Sequence, residues 1–200
     1  MKVRKGDFGY FKKEKKRRLM VTLGLFAVPL LIFFSGILYF KTRMNLMTIV
    51  AVVGCLPACK SAVGMVMAFM QKSMDEETYR RIKEAAKDLT MSYEMYLTSY
   101  DKSGYVDAFA ICGNEVVGYS SHSKTDAKYM GNHVQKILRQ NGYGVNVKIL
   151  KELNPYLERL NSMNEHREAL EKDISFTPDE RYPDLSRAEL IKHTILAISL

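Results

Sequence analysis

Between Arg18 and Lys41 the chain runs for 22 residues, Leu19–Phe40, without a single charge. As a helix this stretch measures about 33 Å, enough to cross a bilayer core of about 30 Å. Pro29 inside it is tolerable, because a helix in lipid can re-satisfy the freed carbonyl from neighbouring groups. The run is too long for the apolar part of an ordinary signal peptide. No small-residue cleavage pattern follows it, and a second apolar run starts almost at once. The spacing therefore predicts a retained anchor.

The second run, Leu46–Met70, carries one charge, Lys60. Neither part can span alone, at about 21 Å and about 14 Å, so a single tilted helix over residues 46–70 is expected. With only residues 41–45 between them, the two helices should form an antiparallel hairpin, with 41–45 as its external loop.

Charge sets the expected orientation. Residues 1–18 hold nine Lys/Arg against Asp7 and Glu14, a balance of +7. Nine basic residues precede the first span and five follow the second within 20 residues, whereas the loop has two. The excess puts both termini in the cytoplasm of a two-span cell-membrane protein. Residues 1–18 then read as a basic cytoplasmic tail touching anionic lipid headgroups. Residues 71–200 hold 18 basic and 20 acidic side chains, so the sequence pI near 9.3 belongs to the tail and the spans. No nucleic-acid partner is expected on that ground. The overall composition, 47% hydrophobic and 26% charged with three cysteines, excludes a disordered chain and a disulfide scaffold.

Lys60 is the least expected residue. Charge near the bilayer centre costs about 2.5–3.5 kcal/mol on insertion scales and often marks function. No acidic residue occurs between positions 19 and 70 to neutralise it. Lys60 can snorkel, or it can face a partner helix or wet cavity. Gly54, Ala58 and Ala62 form a small-xxx-small ladder suited to a partner protein or a second copy packing on this helix. Cys55 and Cys59, one turn apart, read as small packing residues.

Residues 71–200 are long enough for one cytoplasmic domain. Asp75, Glu76 and Glu77 favour a helix start, and Ile82, Ala85, Ala86, Leu89, Tyr93, Tyr96, Leu97 and Tyr100 recur at helical spacing. A helix to about Ser99 is expected. YVDAFAIC and EVVGYSS around Gly113-Asn114 form a hairpin signal. Ser123 or Thr125 should cap a helix to about Gln140, and YGVNVKIL reads as a third strand. Asn154-Pro155 should open the next helix, with Asn154 as its cap. Turn signals at Thr177-Pro178, Tyr182-Pro183 and Ser186 precede a last helix from Arg187. The expected architecture is a membrane-anchored α/β (α+β) protein, a two-helix transmembrane hairpin followed by a domain of order α-β-β-α-β-α-α.

No phosphate loop, dinucleotide fingerprint, zinc site or nucleophile elbow is present, and no cofactor or metal is expected. The helix–strand–strand–helix–strand order over residues 78–160 resembles the restriction-endonuclease-like core, more closely its NERD variant. That family places an Asp on one hairpin strand and a Glu-x-Lys on the next to hold Mg²⁺. The resemblance implies the first acid at Asp107. The Glu-x-Lys position falls on Ser120-Ser121-His122, with Lys124 beyond it. Asp107, His122 and Lys124 are thus the candidate polar constellation, with a hard oxygen ligand missing. The explicit anchor and incomplete chemistry point to a membrane-anchored interaction or assembly module. A membrane-tethered nuclease-like enzyme or its degenerate relative, and a small transport-complex subunit using Lys60, are the alternatives.

Overall fold

The computed structural model describes residues 3–42, 46–172, 174, 176 and 182–199. Arg43, Met44 and Asn45 of the expected loop, and the turn at Thr177-Pro178, lie outside the described residues. The chain is mixed α+β, with two long apolar helices followed by a small sheet-containing domain. It divides into two compact units, Phe11–Lys72 and Met1–Tyr10 with Ser73–Leu200.

The first unit is a pair of helices, α1 (Tyr10–Phe40) and α2 (Leu46–Met70). Both are long and apolar enough to cross a membrane. Helix α1 begins well before the uncharged run, so the basic residues of 10–18 lie on its first turns. Its Glu14 is buried and accepts from Arg17 at 3.1 Å and Arg18 at 2.9 Å. Arg18 also donates to the Gly64 carbonyl at 2.9 Å, and Thr22 and Ser61 share a hydrogen bond of 2.8 Å. Small residues make this approach possible: Ala51, Ala58 and Ala68 are the buried residues of α2. A β-carbon on Gly54 would touch the Pro29 ring at 3.5 Å.

The second unit holds α3 (Glu76–Ala86), β1 (Thr90–Thr98), β2 (Ser103–Cys112), β3 (Glu115–Tyr119), α4 (Ala127–Gln140), β4 (Asn146–Leu150), α5 (Leu153–Glu165), α6 (Arg167–Glu171) and α7 (Arg187–Ala197). The order α-β-β-α-β-α-α is corrected by β1, which stands where a continuing helix was expected. Helix α3 stops at Ala86, where Lys87 adopts φ 44°. Beyond it, Thr, Tyr and Met at alternating positions suit a pleated ladder, and pairing with β2 overrides the coincidental helical spacing.

The sheet runs β1-β2-β3-β4, antiparallel except for the parallel β3–β4 pair joined by α4. Helices cover both faces. Phe109, Ile111, Val116 and Ile149 form one core with Met130, Val134 and Leu138 of α4 and Ile191 and Ile195 of α7. Ala108, Ala110 and Val117 form the other with Ile82 of α3 and Tyr156, Leu160 and Met163 of α5. Burial on both faces explains why β2 reads as a near-continuous apolar run.

Local signals decide the ends. Gly113 has φ 58° and Asn114 follows in the two-residue turn between Cys112 and Glu115, the φ pattern of a II′ hairpin. A β-carbon there would lie 2.2 Å from the Leu170 carbonyl oxygen. Asp126 caps α4, accepting from the Tyr129 amide at 3.0 Å. The expected cap Thr125 is instead buried and accepts the Tyr105 amide proton at 3.0 Å. Helix α5 starts at Leu153, so Asn154 lies inside its first turn and accepts from Arg81 of α3. Ser186 and Glu189 close a capping box on α7.

The first residues belong to this unit too. Gly6 accepts the Tyr93 amide proton at 2.8 Å, and the Lys5 ammonium donates to the Ser199 carbonyl at 2.5 Å. Phe8 stacks on Tyr79 with centroids 4.0 Å apart.

Candidate functional site

Strands β1 and β2 keep one register along their length, yet their side chains change face midway. On β1, Met91 and Tyr93 pack with the α3/α5 core, while Met95 and Leu97 belong to the α4/α7 core. Residues two apart should share a face, so the alternation inverts between Tyr93 and Met95. The residue between them, Glu94, has φ 51°. On β2, Ala108 and Ala110 face α3/α5 but Val106 faces α4/α7, so the alternation inverts at Asp107. Tyr93 pairs with Ala108 and Met95 with Val106, which leaves Glu94 and Asp107 facing each other in the ladder. Matching inversions on both strands preserve the register and leave both acids within electrostatic reach of Tyr105.

Both acids are buried, each 1% exposed. Glu94 accepts from the Ser73 hydroxyl and from the Met74 amide at 3.3 Å. Asp107 accepts the Ser121 amide proton at 2.6 Å. Protein donors thus stabilise both carboxylates in a dry setting.

Three tyrosines, Tyr105, Tyr119 and Tyr156, lie within electrostatic reach of Asp107, and Tyr105 of Glu94 as well. Burial pushes the Tyr105 phenol up, with the charges of Glu94 and Asp107 adding to the effect. Tyr156 is raised well above the ordinary range, first by burial, then by Tyr93 and Asp107. Tyr119 rises for the same leading reason, with Asp107 adding and Arg81 opposing. Tyr119 stacks on Tyr156 at 5.5 Å. The Tyr156 hydroxyl is buried and has no hydrogen-bond partner among the described residues.

Of the three expected residues, Asp107 and the loop after β3 come together through the Ser121 amide. The half-buried His122 ring lies 4.3 Å from the Tyr105 ring, and the His122 carbonyl accepts from Lys151 at 3.1 Å. Lys124 is exposed on the same loop. Ser120, on the implied Glu-x-Lys position, is buried and donates to the Tyr105 carbonyl at 2.5 Å. Glu94 was the acid that sequence reasoning missed, because a helix assignment over 90–99 hides its position opposite Asp107. The period-2 alternation of Met91, Tyr93, Met95 and Leu97 was the available signal.

The residues present do not fit Mg²⁺ held as the resemblance implies. Ser120 stands where the Glu of the Glu-x-Lys would lie and its hydroxyl is spent on the Tyr105 carbonyl, so the second hard oxygen ligand is missing from that position. Among the described residues no group of three or more His, Cys, Asp or Glu converges for a metal ion.

In the hairpin unit, Ala58 is buried and Gly54 lies beside Pro29 of α1, so both serve the seam between the two helices. Ala62 is half-buried, and Lys60 is exposed, off that seam. No protein-family model, no curated protein and no solved structure matches this chain.

Proposed function

We propose that this chain is a membrane-anchored interaction module, in which α1 and α2 cross the bilayer as a hairpin and hold the α+β domain at the cytoplasmic face. One observation carries the reading: residues on both sides of the helix pair belong to one folded unit. Gly6, Lys5 and Phe8 precede α1, yet they bind Tyr93, Ser199 and Tyr79, which follow α2. A chain that leaves and rejoins one domain crosses a membrane an even number of times. The basic excess flanking the hairpin supports the cytoplasmic side. The engagement of Glu94 and Asp107 by the domain's own donors supports a structural use of these acids.

Single cysteines at Thr42 and at Tyr182, in a chain whose three native cysteines are replaced, test the topology in intact cells and inverted vesicles. The expected result is labelling at position 42 from outside and at position 182 from the cytoplasmic side only. Labelling of both from one side, or release of the chain by carbonate, overturns it.

A second reading, a small subunit of a membrane transport complex, is favoured by the exposure of Lys60 on α2 in a hairpin with no acid from 19 to 70.

A further inference from the structure

The cations at the start of α1 are not alike. Residues 11–18 hold six basic side chains against one acid, Glu14. Arg17 and Arg18 are spent inside the hairpin unit: both pair with the buried Glu14, and Arg18 also reaches the Gly64 carbonyl at 2.9 Å. Lys15 and Lys16 make no ion pair among the described residues. They precede Leu19 by four and three positions, so they share its flank of the helix. On that flank Lys15 and Leu19 are half-buried and Lys16 is exposed.

Leu19 forms one wall of a groove of about 350 Å³, whose other wall is Met65, Val66, Phe69 and Met70 of α2. All five lining residues are apolar, and Val66, Phe69 and Met70 are exposed. The groove lies where both apolar runs meet charge. Leu19 is the first uncharged residue after Arg18, and Met70 is the last residue of α2, with Lys72 two positions beyond it. No acid occurs from 19 to 70, and Glu14 is already engaged by two arginines. The positive charge of Lys15 and Lys16 beside this apolar groove is therefore uncompensated by the hairpin itself.

We propose that this groove binds one anionic diacyl phospholipid of the cytoplasmic leaflet, with an acyl chain over Met65, Val66 and Phe69 and the phosphate on Lys15 and Lys16. The apolar walls alone would take any lipid. Two ammonium groups one helical turn away select a headgroup of net negative charge. A zwitterionic lipid would bring its own cation to a positive rim. An acidic peptide would use the lysines and leave the apolar walls uncovered. A second copy packed here in the same orientation would set its own six cations against these six. The inference rests on the proposed crossing of the bilayer by α1 and α2, which puts Leu19 and Met70 at headgroup depth, and it names a ligand for that end of the hairpin.

The test is native mass spectrometry of the full-length chain, released from neutral-detergent micelles after titration with phosphatidylglycerol, phosphatidylcholine of the same acyl chains, or water-soluble glycerol phosphate. The expected result is retention of one phosphatidylglycerol per chain, several-fold above phosphatidylcholine, and no retention of glycerol phosphate. Lys15→Gln with Lys16→Gln should weaken phosphatidylglycerol retention about tenfold. Lys41→Gln with Lys172→Gln removes the same charge elsewhere and should leave it unchanged. Val66→Trp fills the groove without altering charge and should weaken retention as well. Equal retention of phosphatidylcholine, an equal loss in the Lys41/Lys172 variant, undiminished binding in Val66→Trp, or a lipid-free dimer in place of the adduct overturns the inference. A failed crossing is read separately, by the cysteine labelling at positions 42 and 182, so the two failures are distinguishable.

Discussion

Glu94 and Asp107 face each other across the β1–β2 ladder at the place where both strands switch the side of the sheet to which their side chains point. Each carboxylate has its own donors, Ser73 and Met74 for one and Ser121 for the other.

Asp107→Asn replaces an acceptor-only group with one whose amide can present a donor to the Ser121 N–H. It should destabilise the domain by about 1–3 kcal/mol, the usual cost of spoiling a buried charge-assisted hydrogen bond. Asp107→Asn and Glu94→Gln together should depart from the sum of the single variants, because both positions act on the same Tyr105 phenol. Thermal unfolding of the four chains in detergent gives the comparison. Strict additivity would show that the two carboxylates do not feel each other.

Tyr156→Phe removes a buried hydroxyl that has no partner among the described residues. The variant should be unchanged or up to about 1 kcal/mol more stable at neutral pH, since nothing satisfied is lost. Alkaline pH gives the sharper readout. A phenol whose folded pKa is raised holds its proton in the native state after the unfolded chain has lost it. Stability is therefore complete below about pH 10 and falls as pH rises above it. Tyr93, Tyr105, Tyr119 and Tyr156 all shift this way, with burial the leading cause. Tyr156→Phe should shallow that alkaline decline, measured as denaturant midpoints from pH 8 to 11.

Glycine 113 tests the hairpin. Gly113→Ala combines a left-handed φ with a β-carbon 2.2 Å from the Leu170 carbonyl oxygen. A loss of about 2 kcal/mol or more is expected, above the roughly 1 kcal/mol for the φ strain alone. Gly142→Ala is the control, with φ 84° and open space around it, and it should show the strain component only.

Lys60→Leu asks whether the exposed cation of α2 matters. If Lys60 meets a partner's acid, crosslinked complexes in native membranes should fall several-fold while insertion improves by about 2.5–3.5 kcal/mol on an insertion scale. Unchanged crosslinking with improved insertion would leave snorkelling as its whole role.

Much of the molecule was legible in its residues because the relevant physics is local. Twenty-two uncharged residues define the first apolar helix, a Gly-Asn pair turns the β2–β3 hairpin, and Ser186 with Glu189 starts α7. The expected strand at residues 143–150 narrowed to Asn146–Leu150 without changing place. Strand β1 was ambiguous, since Leu89, Tyr93, Tyr96 and Leu97 satisfy a helical period while Met91, Tyr93, Met95 and Leu97 satisfy a pleated one, and pairing with β2 chooses between them. The acid pair was hidden with it. The placement of Gly6 and Phe8 on the domain was equally out of reach, because a run rich in lysine and arginine reads as solvated whatever it later packs on.

The closing of β1 by Gly6 and Ser199 carries a consequence for biosynthesis. Lys5 and Ser199 are 194 positions apart and bond to each other, so this edge cannot be completed until the ribosome has made nearly all of the chain between them. Through most of translation the nascent domain holds a bare strand margin. Chaperone dependence should therefore concentrate in the interval before the carboxyl-terminal helix emerges.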